Sequence, residues 1–197
     1  MKYMKELESQ LSSYKHPIFR SYELQSFNIS KNYKKRLTHL LLSNGRIKRI
    51  TRGVYTFHDD INVVGFAFSP FYYGLENALT MHGISTQGTN PIVITPRNVR
   101  QGLRVFEGRN YLIKRIPEAL FFGYEMVKRG NFWVPVSDLE KTVIDMMYFD
   151  GYIRDELWPT ILKELQMRRL NEYLGRYKKE FRTKMLKTIK EEKNKAA

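Results

Sequence analysis

The chain has 197 residues, 42% of them hydrophobic, with 34 Lys and Arg against 20 Asp and Glu. A formal charge of +14 and a pI near 9.9 point to a polyanionic partner, nucleic acid before an anionic membrane surface. Cysteine is absent, which excludes disulfides, thiolate metal sites and cysteine nucleophiles and makes the cytoplasm the expected location. No run of about 18 apolar residues exists to span a bilayer.

Residues 2–14 place Tyr3, Leu7, Leu11 and Tyr14 at helical spacing among Lys and Glu. This predicts a polar helix rather than a signal peptide. His16-Pro17 ends it, because a residue before proline avoids the α region. Ser21 caps a short second helix through Phe27, with Tyr22, Leu24 and Phe27 as its apolar positions. Ser30 caps a third, to about Ser43, whose buried stripe is Tyr33, Leu37, Leu40 and Leu41; Asn44-Gly45 stops it. Leu42 points away from the core on this wheel. Ile47–Ile50 and Val54–Phe57 read as a hairpin around Thr51-Arg52-Gly53. Three helices followed by a hairpin fit the winged helix-turn-helix plan.

Asp59-Asp60 interrupts the basic run. It sets the expected boundary between a DNA-binding domain over 1–59 and an α+β domain over 60–197. Residues 63–68 are a strand or the start of a helix, and Tyr72–His82 is a helix stopped by Gly83. Strands are expected at Ile92–Thr95, Leu103–Glu107, Tyr111–Ile116, Phe121–Val127 and Phe132–Pro135, separated by Gly and Pro. Ser137 caps Asp138–Phe149, with Glu140 completing a capping box. From about Arg154 the chain is helical and basic, and Phe181, Met185, Leu186 and Ile189 keep an apolar stripe in its last helix. The fold class is therefore α+β: a winged helix-turn-helix followed by a mixed α/β domain that ends in helices.

From Ser30 to Phe57 there are eight Lys or Arg residues and no acidic one. The helix face opposite Tyr33 and Leu37 carries Lys31, Asn32, Lys35, Thr38 and His39. Asn can pair with adenine, and Lys with guanine edges or phosphate. The candidate DNA contacts are Lys31, Asn32, Lys34, Lys35, Arg36, Thr38 and His39 on the helix, with Arg46, Lys48, Arg49 and Arg52 on the hairpin. The bland alternative is a solvated basic face. Coincidence of the charge with the helix–hairpin order favours DNA.

Four stretches, taken in order, resemble the AbiEi family of antitoxins from type IV toxin–antitoxin systems. They are Leu41 to Ile47 with Arg49 to Tyr55; Tyr72 to Leu79 leading to His82-Gly83; the strand Pro91–Thr95; and Val136 to Asp145. The Arg-Gly-Val-Tyr turn and the Glu-Lys-Thr…Asp helix are the most specific. The resemblance implies that the N-terminal domain binds operator DNA and represses its own operon. It also implies that the larger domain neutralises a nucleotidyltransferase-like toxin. Glu140, Lys141 and Asp145 are the candidate partner-binding residues, against the plainer reading of a capped helix with surface charge pairs. His82 could be a ligand or base, but a helix-end histidine bonded to backbone is the better reading.

No cofactor, metal site or catalysis is expected. Asp138 with Glu140-Lys141 sits at a helix start, not on one strand face as nuclease carboxylates do. His16, His39, His58 and His82 lack metal spacing. No phosphate-binding loop or nucleophile elbow appears, although a dispersed Ser-His-Asp triad stays open. The rivals are a stand-alone winged-helix regulator with a ligand-sensing or dimerising C-terminal domain, and a nucleic-acid-processing enzyme. No large apolar face supports a membrane role. A homodimer is an open expectation, because such repressors often pair on two-fold operators.

Overall fold

The computed structural model describes residues 17–25 and 30–196. The helix expected over 2–14 and the end of the second expected helix lie outside them. Phe19–Arg20 forms strand β1, and Glu23–Gln25 a single 3-10 turn whose Glu23 carboxylate accepts the Arg20 N–H at 2.8 Å. Helix α1 runs Lys31–Ser43. It starts where Ser30 Oγ accepts the Tyr33 N–H at 3.3 Å, satisfying one orphan donor of the first turn. It ends through Asn44 and Gly45, the latter at φ +66°, where a side chain would be strained. Strands β2 (Lys48–Thr51) and β3 (Val54–Thr56) follow, joined by a tight turn at Arg52-Gly53. The three strands form an antiparallel sheet in the order β1-β3-β2.

After Asp59-Asp60 the backbone winds into a 3-10 helix, Ile61–Phe68, started by Asp60 Oδ1 accepting the Asn62 N–H at 2.9 Å. This settles residues 63–68 as helical. A six-stranded sheet is then built from β4 (Tyr72–Tyr73), β5 (Ile92–Thr95), β6 (Gly102–Phe106), β7 (Arg109–Arg115), β8 (Tyr124–Arg129) and β9 (Phe132–Ser137). The order is β6-β7-β5-β4-β9-β8. The β5–β7 and β4–β9 pairs are parallel, and the others antiparallel. The helices are α2 (Glu76–Met81), α3 (Leu139–Tyr148), α4 (Trp158–Glu164), α5 (Met167–Leu174) and α6 (Lys179–Ala196). The α+β class is as expected.

Alternation along the strands divides the side chains between two layers. On one face Tyr72, Ile92 and Ile94 pack against Val143, Ile144, Trp158, Ile161, Met185 and Ile189 of α3, α4 and α6. On the other, Tyr73, Val93, Ile113, Val134 and Val136 meet Val63, Val64 and Phe68 of the 3-10 helix. Ile50 and Val54 of the small sheet belong to this second layer. A third cluster, Phe19, Leu24, Leu37, Leu41 and Ile47, lies between α1 and the small sheet. The last helix docks through Met185 and Ile189 and leaves Leu186 exposed.

Three expected boundaries move. The strand read over Phe121–Val127 starts only at Tyr124, because Glu118–Leu120 winds into a 3-10 turn that ends at Phe121. The helix read over Tyr72–His82 starts only at Glu76, because Tyr72 and Tyr73 are strand residues paired with Ile94, Val93 and Val136. The cap of α3 is Asp138, not Ser137. Asp138 Oδ1 accepts the Lys141 N–H at 2.8 Å, while the Ser137 hydroxyl lies 2.7 Å from Thr142 Oγ1. Glu140 is therefore no capping-box partner, and its carboxylate accepts the Gln166 N–H at 2.7 Å.

Tyr72 and Tyr73 are fully buried in mid-sheet. The Tyr73 hydroxyl donates to Asn62 O at 2.8 Å and accepts the Gly65 N–H at 3.0 Å. Burial pushes the phenols of Tyr72, Tyr73 and Tyr177 above their ordinary range. With the folded pKa raised, the stabilisation is complete below the unfolded tyrosine pKa of about 10 and is lost as pH rises past it. Each phenol contributes a slope of about 1.4 kcal/mol per pH unit, about 4 for the three. Urea denaturation should show a plateau to about pH 9 and a steep loss by about pH 11; a flat profile across that interval would contradict their burial.

Candidate nucleic-acid interface

Helix α1 lies on the small sheet through Leu37 and Leu41. Its opposite side presents Asn32, Lys35, Arg36 and His39, all exposed, with exposed Lys31 beside them. This is the expected basic face, turned about the helix axis relative to the sequence reading. Tyr33 and Leu40, read as core, are exposed at 44% and 47%. Leu42 packs partly against the Leu37–Leu41 cluster instead. Lys34 and Thr38 are half-buried. The Thr38 hydroxyl donates back to Lys34 O at 2.9 Å, so its hydrogen is held by the helix and only its lone pairs remain for a ligand. Lys34, Lys35, Thr38 and Leu42 form one wall of an open groove that Ser21 and Tyr55 close from the sheet side.

On the hairpin, Arg46, Arg49 and Arg52 are exposed. Arg52 stands in the turn beside Gly53, which is held at φ +75° and whose carbonyl accepts the Ser21 N–H at 2.9 Å. Lys48 departs from the expectation: it is half-buried and paired with Asp59, so its charge is met within the chain. Of the predicted contacts, the structure turns Lys31, Lys35 and Arg36 of α1 to solvent, leaves Lys34 at the groove beside the sheet, and sets Arg49 and Arg52 on the strand and turn that follow.

The residues expected to meet a partner protein do not reach the surface. Lys141 and Asp145 are fully buried, and Glu140 nearly so. Lys141 Nζ is paired with Asp145 and lies 3.2 Å from the Tyr177 hydroxyl, among the rings of Tyr72, Phe122 and Tyr177. The Tyr72 hydroxyl donates to the other Asp145 oxygen at 2.7 Å. The Tyr173 hydroxyl donates to Asp138 at 2.7 Å, and Arg169 approaches Glu140 at 3.5 Å. The Glu-Lys-Thr…Asp motif thus ties α3 to strand β4 and to the C-terminal helices. Desolvation pushes the Lys141 ammonium down and the Asp145 carboxyl up, and their mutual attraction opposes both shifts. His82 takes the backbone role read for it, with Nε2 donating to Ser137 O at 2.7 Å.

No protein-family model matches the chain, and no curated protein does either. Among solved structures it is similar to the RV2827C protein from Mycobacterium tuberculosis, with a TM-score of 0.58 and 12% sequence identity over 89% of this chain and 72% of that one. The likeness is one of fold. No helix among the described residues is long and apolar enough to cross a membrane.

Removing one member of a buried ion pair strands the other, a loss of about 3–5 kcal/mol. Lys141→Met should therefore destabilise by that order. Lys141→Met with Asp145→Asn should recover most of it, because the amide oxygen still accepts from Tyr72. Thermal melts of the two variants decide this: a double variant no more stable than the single would reject a charge-burial origin for the motif.

Proposed function

We propose that the chain is a DNA-binding transcriptional regulator whose N-terminal unit is a winged helix-turn-helix. The carrying observation is the exposed face of α1, with Asn32, Lys35, Arg36 and His39, in a segment without a carboxylate from Ser30 to Phe57. The β1-β3-β2 sheet and the position of α1 immediately before its hairpin support the same reading. In this reading α1 enters the major groove, where Asn32 and Lys35 reach base edges, and Arg49 and Arg52 hold neighbouring phosphates. The resemblance to AbiEi antitoxins extends the proposal to repression of the chain's own operon and to neutralisation of a nucleotidyltransferase-like toxin. A stand-alone regulator without a toxin is the second reading. The burial of Glu140, Lys141 and Asp145 favours it, because it gives one of the most specific shared motifs a structural role.

Each phosphate contact releases counterions, so binding weakens with salt at a logarithmic slope of about 0.9 per contact. In electrophoretic shifts on the chain's own upstream DNA, Lys35→Ala and Arg52→Ala should each weaken binding and lower the slope by about 1. Wild-type slopes in both variants would remove this segment from the interface. Co-expression with a nucleotidyltransferase-like protein encoded beside the chain tests the antitoxin part: rescue of growth supports it, and its absence leaves the regulator alone.

A further inference from the structure

A second group of cations lies on the larger body and is absent from the sequence-based set of contacts. Arg97, Arg100, Arg104, Arg109 and Arg115 fall within nineteen residues that contain one acid, Glu107. Strand alternation puts Arg104, Arg109 and Arg115 on the pleat face of Phe106, Tyr111 and Ile113. That is the face on which Ile50 and Val54 of the small sheet pack. Arg97 reaches the same side, donating to Ala67 O at 3.3 Å.

The hairpin β6–β7 is fastened directly to the N-terminal unit. The Tyr111 hydroxyl donates to Ile50 O of β2 at 3.2 Å, and Arg109 Nη2 donates to Asp59 O at 2.9 Å. Exposed Arg49 lies on the same strand as Ile50. The cations of α1, of β2 and its turn, and of the β6–β7 hairpin therefore occupy adjoining elements.

None of these five arginines forms an ion pair among the described residues. Three of them have neutral partners: Arg97 and Arg109 the carbonyls just named, and Arg104 the ring of Phe68 at 5.1 Å from its centroid, with Nη2 on Arg100 O at 2.9 Å. Such contacts orient a guanidinium without cancelling its charge and leave it further N–H donors. On α6, by comparison, two of the cations are met by acids, Lys187 by Glu191 and Lys195 by Glu192. Five arginines without an acidic partner, three of them oriented by neutral groups, are suited to phosphate oxygens.

We infer that the β6–β7 hairpin and its Arg97–Arg100 leader form a second backbone clamp, which holds phosphates of the same DNA duplex outside the stretch covered by α1. The inference rests on the DNA-binding reading and extends its footprint onto the larger body.

The test uses the full chain and two duplexes carrying its upstream sequence. One just covers the N-terminal footprint, and the other is longer by about one helical turn, about 10 base pairs. The variant is Arg97→Gln/Arg100→Gln, both positions being exposed. The control is Lys184→Gln/Lys190→Gln, which removes the same charge from exposed positions on α6. Thermal melts confirm folding of both. On the long duplex the arginine variant should lower the salt slope by about 2, and on the short duplex it should match wild type. The lysine control should match wild type on both. A wild-type slope for the arginine variant on the long duplex, while Lys35→Ala still lowers it, overturns the clamp and spares the regulator reading. An equal fall on both duplexes, or in the control, also overturns it, because the effect is then local to α1 or general to net charge. Absence of duplex binding by the wild-type chain overturns both readings.

Discussion

Ile47 and Ile50 stand three residues apart and belong to different cores. Ile47 packs with Leu37 and Leu41 under α1, and Ile50 packs with Val63 and Phe68 on the larger body. The small sheet is thus apolar on both faces, and little of it is open to water. Charged side chains must go to the outer side of α1, the hairpin turn and the strand edge, because burying them unpaired would cost far more than the sheet gains. The arrangement of Lys31, Lys35, Arg36, Arg49 and Arg52 follows from this constraint as much as from any ligand. The same packing holds α1 and the body in one register, since moving either would expose apolar surface worth about 25 cal/mol per Å².

The polar cluster around Lys141 works in the opposite sense. Here a charge lies inside the protein, and a ring of hydroxyls and aromatic faces makes that tolerable. Asp145 receives Tyr72, Lys141 contacts Tyr177, and Asp138 receives Tyr173. Strand β4, helix α3 and the C-terminal helices are joined by bonds that have direction, unlike the apolar contacts around them. Gly123 fits the same design: a Cβ there would lie 2.9 Å from the Tyr173 ring and 3.0 Å from the Lys141 side chain.

What could be read from the sequence was what depends on near neighbours. Ser30 and Gly45 bound α1 because caps and left-handed stops act within a few residues. The hairpin followed from Gly53 and the apolar residues beside it. What could not be read depends on distant partners. Tyr72 and Tyr73 look like the first turn of a helix until Val93, Ile94 and Val136 pair with them. Strand β1 has only two residues and exists because Tyr55 and Val54 meet it. Ser137 and Asp138 are both good caps, and only the strand that claims Ser137 decides between them. The wheel for α1 erred by turning Tyr33 and Leu40 inward and Thr38 and Leu42 outward. Tyr33 and Leu40 remain outside, and Thr38 and Leu42 take the flank of the core. The cations of α1 were visible as a run, whereas the five arginines near β6 and β7 are spaced too widely to read as a patch until the sheet folds them onto one side.

The two basic regions differ in chemistry. Helix α1 carries three lysines, Lys31, Lys34 and Lys35, and one guanidinium, Arg36, whereas the β6–β7 hairpin carries only guanidinium groups on its Phe106 and Tyr111 face, with Lys114 turned to the helix side over Phe149. An amine can be acylated and lose its charge, whereas a guanidinium keeps its charge in such chemistry. Acylation would therefore remove the charges of Lys31, Lys34 and Lys35 and leave Arg36 and the hairpin arginines cationic, so most of the helix charge can be changed without touching the hairpin.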